Sequence, residues 1–363
     1  MTDIKSLDLE ELTEYIEDLG EKKFRAKQIY KWLHQDFVTG FDEMTNIPKD
    51  LRDRLKEDAC IYVVKPVKVM VSELDGTRKY LYELNDGNII ESVLMKYHHG
   101  NSVCISTQVG CRMGCRFCAS TLDGLERQLT PSEMLDEVYR IQKDIGERVS
   151  NIVLMGSGEP LDNYDNVIKF IKLISDENGL NISGRNITLS TCGIVPMIRR
   201  LADEKMQLTL AISLHASDDD TRRKLMPVAN KYTIEELLDA CRYFFQTTGR
   251  RITFEYSLVS GINDTESEAK KLGGLLNDIN CHVNLIPVNP IKERDFKQSV
   301  KKDVEKFKNV LEKYKINVTI RREMGRDIQG ACGQLRKSYK DNKIEGNEKN
   351  GTTEKNSKKE VEW

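Results

Sequence analysis

What this 363-residue chain lacks narrows its class before any motif is read. No apolar run approaches the roughly 18 residues that a bilayer crossing needs. The opening stretch "MTDIKSLDLEELTEYIEDLG" is acidic and amphipathic, without the basic start and apolar core of a secretory signal. The chain therefore reads as cytoplasmic and free of membrane contact. Neither sign of charge dominates: 56 Lys and Arg stand against 58 Asp and Glu, for a net charge of −2. That balance neither demands nor excludes a nucleic-acid partner, which depends on local basic surface such as "IRRL", "TRRKL" or "GRRITF". Each of these reads equally well as a solvated face. Histidine is scarce, five in all, and none stands at zinc-finger spacing from a cysteine.

What is present is an ordinary globular composition, 39% hydrophobic and 31% charged, enough for one large α/β domain and a small accessory one. Helix signals dominate residues 1–58. Leu9, Leu12, Ile16 and Leu19 recur at helical spacing behind Ser6 or Asp8 as N-cap, with Gly20 as the stop. "FRAKQIYKWLH" and a segment opening near Pro48 follow as second and third helices. Residues 59–96 alternate with period two and are punctuated by "LDG" and "NDG", which reads as a short β extension with tight turns. From 97 to 336 short apolar runs ("SVCIST", "NIVLMG", "NITLST", "LTLAISLH", "ITFEYSLV", "HVNLIPV", "INVTIRR") alternate with amphipathic helical stretches. About six such repeats imply a parallel sheet covered by helices, a barrel or partial barrel with its reactive groups at the strand C-termini. Residues 337–363 are polar and nearly free of aliphatics, and are expected to be a disordered charged tail.

Nine cysteines with no secretory signal do not suggest a disulfide framework, and clustered thiols in a reducing compartment more often bind metal or react. Three of them, Cys111, Cys115 and Cys118, fall within eight positions of "ISTQVGCRMGCRFCAS", after the first barrel strand. A structural zinc site closes with four ligands, and no fourth stands at a matching spacing. A cubane iron–sulfur cluster on three cysteines leaves one iron free to bind a small molecule. Taken alone, the loop could still be a partial zinc site.

Cys111-x3-Cys115-x2-Cys118, with Phe117 before the last cysteine, resembles the signature of the radical S-adenosylmethionine superfamily. "STQVGC", "MGSGEP", "SLHA", "FEYSLVSGIND" and "ACGQL" together resemble its RlmN family of bacterial RNA methyltransferases, from the "FRAKQIYKWLH" helix to about residue 336. The resemblance implies a partial (βα)6-type TIM-like barrel with a small N-terminal helix-hairpin-helix-like domain. It implies a [4Fe–4S] cluster on Cys111, Cys115 and Cys118, and a cofactor site formed by Gly158, Glu159, Ser190, Ser213, Leu214, His215 and Asn289. By themselves "GSGEP" reads as a turn and His215 as a hydrogen-bonded core histidine.

The resemblance also implies a product, 2-methyladenosine in 23S ribosomal RNA and in transfer RNA, and a use for further thiols. Adenine C2 is an electron-poor carbon with no lone pair to attack a sulfonium methyl group, whereas a carbon radical can add there. Cys332, in the glycine-flanked loop "GRDIQGACGQLR", would be methylated by one S-adenosylmethionine. A second would generate the radical that activates this S-methyl group, so that two are consumed per turnover. Glu91 would accept the C2 proton, as suits a carboxylate whose pKa burial has raised, and Cys104 would release the enzyme–RNA adduct through a transient disulfide with Cys332. Without the resemblance, Cys104 reads as a buried strand cysteine and Glu91 as a solvent-facing strand residue. Cys60, Cys241 and Cys281 read as structural, and Cys192, close to Ser190, has no assigned role.

The remaining expectations concern partners. Lys22, Lys23, Arg25 and Lys27 are candidates for gripping RNA backbone, and a flavodoxin- or ferredoxin-type protein is expected to supply electrons to a monomeric enzyme. Two other readings compete: an adenine-C8 methyltransferase of the antibiotic-resistance type, and a metal-binding RNA-associated module without turnover.

Overall fold

The computed structural model describes residues 1–288 and 295–328. Its first three helices are α1 (Leu9–Asp18), α2 (Phe24–His34) and α3 (Lys49–Asp58). Asp8, not Ser6, caps α1: its side chain accepts from the Glu10 and Glu11 amides while Glu11 returns a carboxylate to the Asp8 amide. That reciprocal box satisfies donors a helix start otherwise leaves orphaned. Gly20 takes the left-handed conformation (φ 74°) that turns the chain out of α1.

Ten strands then build one sheet: β1 (Lys65–Val71), β2 (Arg78–Glu83), β3 (Ile89–Tyr97), β4 (Gly100–Cys104), β5 (Val149–Leu154), β6 (Ile187–Thr191), β7 (Thr209–Ser213), β8 (Ile252–Leu258), β9 (Cys281–Pro287) and β10 (Asn317–Ile320). Their order across the sheet follows their order in the chain. β1 to β4 form an antiparallel meander, as the turn signals predicted, and β4 to β10 run parallel. Helices α4 (Pro131–Ile145), α5 (Tyr164–Ser175), α6 (Val195–Asp203), α7 (Asp219–Leu225), α8 (Ile234–Thr248), α9 (Glu266–Leu276) and α10 (Lys301–Lys313) connect the parallel strands. Six βα units therefore precede a last strand. The β extension shares the barrel's sheet, because β3 is hydrogen-bonded directly to β4.

Strand register separates the two faces of this sheet. Ile152, Leu154, Ile187, Leu189, Leu210, Ile212, Phe254, Val283 and Leu285 point one way into the core shared with the helices. The alternate positions carry Cys104, Thr188, Ser190, Ser213, Glu255 and Asn284, brought onto the opposite face by the same register. Parallel strands covered on both sides are usually apolar throughout. The polar residues on this face, interspersed with Val153 and Ala211, depart from that pattern.

The N-terminal helices join the same core: Leu12, Ile16, Ile29, Leu33, Leu51 and Leu55 are continuous with it. Two buried polar ties reinforce the junction with α4, Lys5 Nζ to Asp136 Oδ1 at 2.8 Å and His34 Nδ1 to the Tyr139 hydroxyl at 2.9 Å.

Candidate active site

The three clustered cysteines lie on one loop between the paired segments Gln108–Gly110 and Leu125–Gln128. The loop depends on Gly110: a side chain there would place its Cβ 2.0 Å from the Gly124 carbonyl oxygen, to which the Cys111 amide donates at 2.8 Å. The Thr121 hydroxyl donates to the Cys115 and Cys118 carbonyls at 3.1 and 2.9 Å, which ties down the backbone of the loop. Cys111 and Cys115 are buried and Cys118 half-buried. Burial pushes the Cys111 thiol up to about 12 and raises those of Cys115 and Cys118, so ionisation there needs a positive centre.

The donor set fits an iron–sulfur cluster. The donors are three thiols carried by one loop. A cubane spreads its thiolates over different irons, whereas a mononuclear zinc requires convergence. The surroundings are apolar: Cys115, Cys192, Leu225 and Met226 form a buried cluster with Met113, Phe117, Val228 and Phe296 packed against it. Such a shell keeps water from a low-potential centre.

The cofactor residues expected from the sequence lie at the C-terminal ends of β5, β6 and β7. Gly158 follows β5 with φ 110°, and a Cβ there would come within 2.6 Å of Gln108 Cβ. Glu159 is buried; its Oε1 accepts the Leu161 amide at 3.0 Å and its Oε2 the Cys192 amide at 2.7 Å. Burial raises this carboxyl, and those hydrogen bonds oppose the rise. Ser190, next to last in β6, and Ser213, which ends β7, are half-buried, and Leu214 is fully buried with its amide on the Glu255 carbonyl at 3.1 Å. His215 takes a positive φ of 57°. Its Nδ1 accepts the Ser257 amide at 2.8 Å, and its ring meets the Phe117 edge at 4.7 Å. This is the satisfied-histidine geometry, and it also links β7 to the cysteine loop. Asn289 lies outside the described residues.

Glu91 is buried on β3 and not solvent-facing. Its Oε2 stands 3.1 Å from Lys79 Nζ on β2, and both side chains are withdrawn from water. The ammonium counters the desolvation that burial of a carboxylate brings, so the site is a paired one and not simply a greasy slot. Cys104 ends β4 opposite Val93, putting it on the Glu91 face of the sheet one diagonal step away. Burial pushes its thiol up to about 11. Cys332 lies outside the described residues. The segment leading to it is clasped to the β1–β2 turn: Asp327 accepts from the Ser72 hydroxyl at 2.6 Å and the Glu73 amide at 2.9 Å, and Gly325 donates to Asp75 at 3.0 Å.

Several buried ionic residues escaped the sequence reading, Lys79, Glu255 and Arg222 among them. Lys79 was hidden in "TRKYLYEL", where only alternation with Leu81 marked its face. Glu255 accepts from Asn284 Nδ2 at 2.9 Å on the inner face of β8, and burial raises its carboxyl against the nearby Arg321. Arg222 of "TRRKL" is buried, while its neighbour Arg223 pairs with Asp220 on the surface at 2.8 Å. The other basic clusters are also engaged: Arg199 and Arg200 pair with Asp239 and Asp165, and Arg250 donates to Leu208 and Thr209. Near the N-terminus Lys22, Lys23 and Lys27 are exposed, and Arg25 lies over the exposed Phe24 ring at 4.7 Å. Cys192 is buried beside Glu159 and Cys115, Cys241 and Cys281 are buried, and Cys60 donates to the Thr2 carbonyl.

Comparison with known proteins agrees with this geometry. The model described as ribosomal RNA large subunit methyltransferase N-terminal domain matches residues 2–61, and that of the radical SAM superfamily matches residues 105–272. The chain is 66% identical over 339 residues to a probable dual-specificity RNA methyltransferase RlmN of Lachnospira eligens, covering 93% of this chain and 97% of the relative. A protein of the same name from Clostridium novyi is 59% identical, over 93% and 99% respectively. Among solved structures, a radical SAM methyltransferase from Sphaerobacter thermophilus superposes with a TM-score of 0.88 at 40% identity, covering 92% of this chain and 99% of that one. No helix among the described residues is long and apolar enough to cross a membrane.

Proposed function

From the premise that this chain belongs to the RlmN family of radical S-adenosylmethionine RNA methyltransferases, we propose that it makes 2-methyladenosine in 23S ribosomal RNA and transfer RNA. The observation that carries the reading is the placement of Cys104 and the Lys79–Glu91 pair on the same inner face of the sheet as the cofactor-site residues. A radical enzyme needs only the cluster loop. A carboxylate and a thiol beside it are what release of a covalent RNA adduct requires.

Cys111, Cys115 and Cys118 would hold one [4Fe–4S] cluster, and Gly158, Glu159, Ser190, Ser213, Leu214, His215 and Asn289 would hold S-adenosylmethionine. When bound, the pair supplies a 5′-deoxyadenosyl radical by one-electron cleavage. Cys332 first accepts a methyl group by displacement from one S-adenosylmethionine, and after hydrogen abstraction its methylene carbon bonds to adenine C2. The adduct radical gives up one electron, for which the cluster would be the acceptor; Glu91 takes the C2 proton, and Cys104 attacks the Cys332 sulfur, so that the carbon–sulfur bond breaks, the released methylene carbon takes a proton to become methyl, and a disulfide remains for external thiols to reduce. Two S-adenosylmethionine molecules are consumed per product.

The target base must leave its stack or sit in a loop to reach this face. The exposed Lys22, Lys23 and Lys27, with Phe24 beside them, give residues 1–58 a surface suited to RNA backbone. Residues 59–96 carry the general base, 97–336 the radical chemistry, and 337–363 a charged tail. The protein works as a cytoplasmic monomer with a flavodoxin or ferredoxin as donor.

Nucleoside mass spectrometry of RNA from cells lacking the protein tests the reading: 2-methyladenosine should vanish from both RNAs and return on complementation. An 8-methyladenosine product, or a reconstituted protein that never forms 5′-deoxyadenosine, would overturn it.

A further inference from the structure

Arg222 is the largest side chain wholly buried among the described residues, at 0% exposure. It lies on α7, which follows β7 and packs behind the cysteine loop: the Arg116 amide donates to the Leu225 carbonyl at 2.9 Å, and Leu225 and Met226 pack with Cys115. Its guanidinium donates to three backbone carbonyls, Cys192 at 2.7 Å, Leu214 at 3.2 Å and Ser213 at 3.4 Å. All three lie just at or beyond the ends of β6 and β7. A Cβ on Gly193 would come within 3.2 Å of Nη2, so the chain is thinned there to admit the guanidinium.

Two facts set this arginine apart from a structural tie. Among the described residues no carboxylate lies within ion-pair distance of it, and Nη1 is buried with no hydrogen-bond partner. An arginine cannot shed its proton, so a buried guanidinium without an anion carries an unrecovered desolvation cost. Its foremost electrostatic neighbours are the thiols of Cys192 and Cys115, ahead of the Asp219 carboxylate, which stands beyond ion-pair distance. The missing anion is therefore expected on the cysteine side. A cubane core on three thiolates is net negative, each added electron makes it more so, and a bound carboxylate adds to the same sign.

We propose that Arg222 is the fixed counter-charge of the cluster site, holding the cluster's reduction potential within reach of its donor and drawing in the cofactor's carboxylate. It acts through the cluster and touches no reacting atom, and is thus a positioning residue. The inference rests on the proposed [4Fe–4S] cluster at Cys111, Cys115 and Cys118, but not on the identity of the RNA product. A preorganised positive charge behind the cysteine loop favours the reduced state, because the reduced cluster is the more negative one.

The test is a potentiometric titration of the reconstituted full-length protein, read by the electron paramagnetic resonance of the reduced cluster, for wild type, Arg222→Gln and Arg222→Lys, with iron and sulfide content measured in each. At the potential where wild type is half reduced, Arg222→Gln should show a reduced-to-oxidised ratio about tenfold lower, a shift of about 59 mV for one electron. Arg222→Lys should stay near wild type. A fully loaded Arg222→Gln that titrates on the wild-type curve overturns the proposal. Should Arg222→Gln take up no cluster, the melting of the apoproteins decides. Removal of an uncompensated buried charge should leave apo Arg222→Gln melting at or above apo wild type, whereas a lower melting point would make Arg222 a structural tie and nothing more. A wild-type protein that binds no cluster defeats the radical-enzyme reading itself, a separate outcome.

Discussion

At the scale of single residues, the sequence was most legible where chemistry demands a residue type and least where burial decides its role. Cys104 illustrates the second case. Its neighbours in "SVCIST" describe a buried strand cysteine, and only strand register puts it on the Glu91 face. Replacing it with alanine should leave adduct formation intact and block release, so a Cys104→Ala preparation should carry RNA crosslinked through Cys332; a crosslink-free preparation that still turns over would refute its role. Two histidines make a different prediction. Burial holds His34 and His215 neutral, lowering each to about 3 from an ordinary 6.5. The unfolded chain therefore binds more protons than the native one between those values. Stability should be fully present above pH 6.5 and fall as pH drops below it, by up to about 1.4 kcal/mol per pH unit for each histidine. His34→Gln should flatten that slope in urea titrations between pH 4.5 and pH 7 without altering the cluster, since His34 packs on Tyr139 far along the chain from the cysteine loop.

At the scale of elements, period-two alternation announced the hairpins within 59–96 and short apolar runs between helical stretches announced the parallel strands, but neither said much about what each face meets. In β6 the buried Ile187 and Leu189 alternate with half-buried Thr188 and Ser190, which could equally describe a solvent-exposed sheet. Helices on one side and a ligand-holding interior on the other produce the same pattern. The β2–β3 pair shows why this matters. Lys79 and Glu91 are twelve positions apart and unremarkable in sequence, yet antiparallel pairing sets them diagonally opposite with their charges 3.1 Å apart. Lys79→Met would remove the ammonium that faces the buried Glu91 carboxylate, breaking a buried ion pair from one side. Adduct release should slow about 10- to 100-fold, while Lys79→Arg stays close to wild type; an unaltered release rate in Lys79→Met would show the pair to be merely structural.

At the scale of the whole molecule, the N-terminal helices and the barrel share one hydrophobic core, so the first 58 residues are joined to the barrel by burial and not by a linker. The junction is also polar. Asp136 of α4 accepts Lys5 Nζ at 2.8 Å and the Val64 amide at 2.8 Å, with Arg140 alongside at 3.3 Å. Burial lowers the Lys5 pKa against the pull of Asp136, so the pair is held by mutual need. Removing one partner leaves the other charge unpaired, and Asp136→Ala should cost about 3–5 kcal/mol, measured as a lower urea midpoint and faster proteolysis between residues 1 and 64. A midpoint equal to wild type would mean that apolar contacts alone dock the helices.

The sequence by itself determined the βα alternation, the meander before it, the helical start and the triplet of cysteines. Each of these follows from local rules of spacing, capping and donor type that neighbours in the chain satisfy or break on their own. Only the tertiary structure decided which buried charges exist and what they face. Arg222, Lys79 and Glu255 look in sequence like any surface residue, because a charge is worth burying only when groups far along the chain converge to meet it. That convergence is a property of sheet register and helix packing, so the interior that would hold the cluster, the cofactor and the adenine became readable only once ten strands were set side by side.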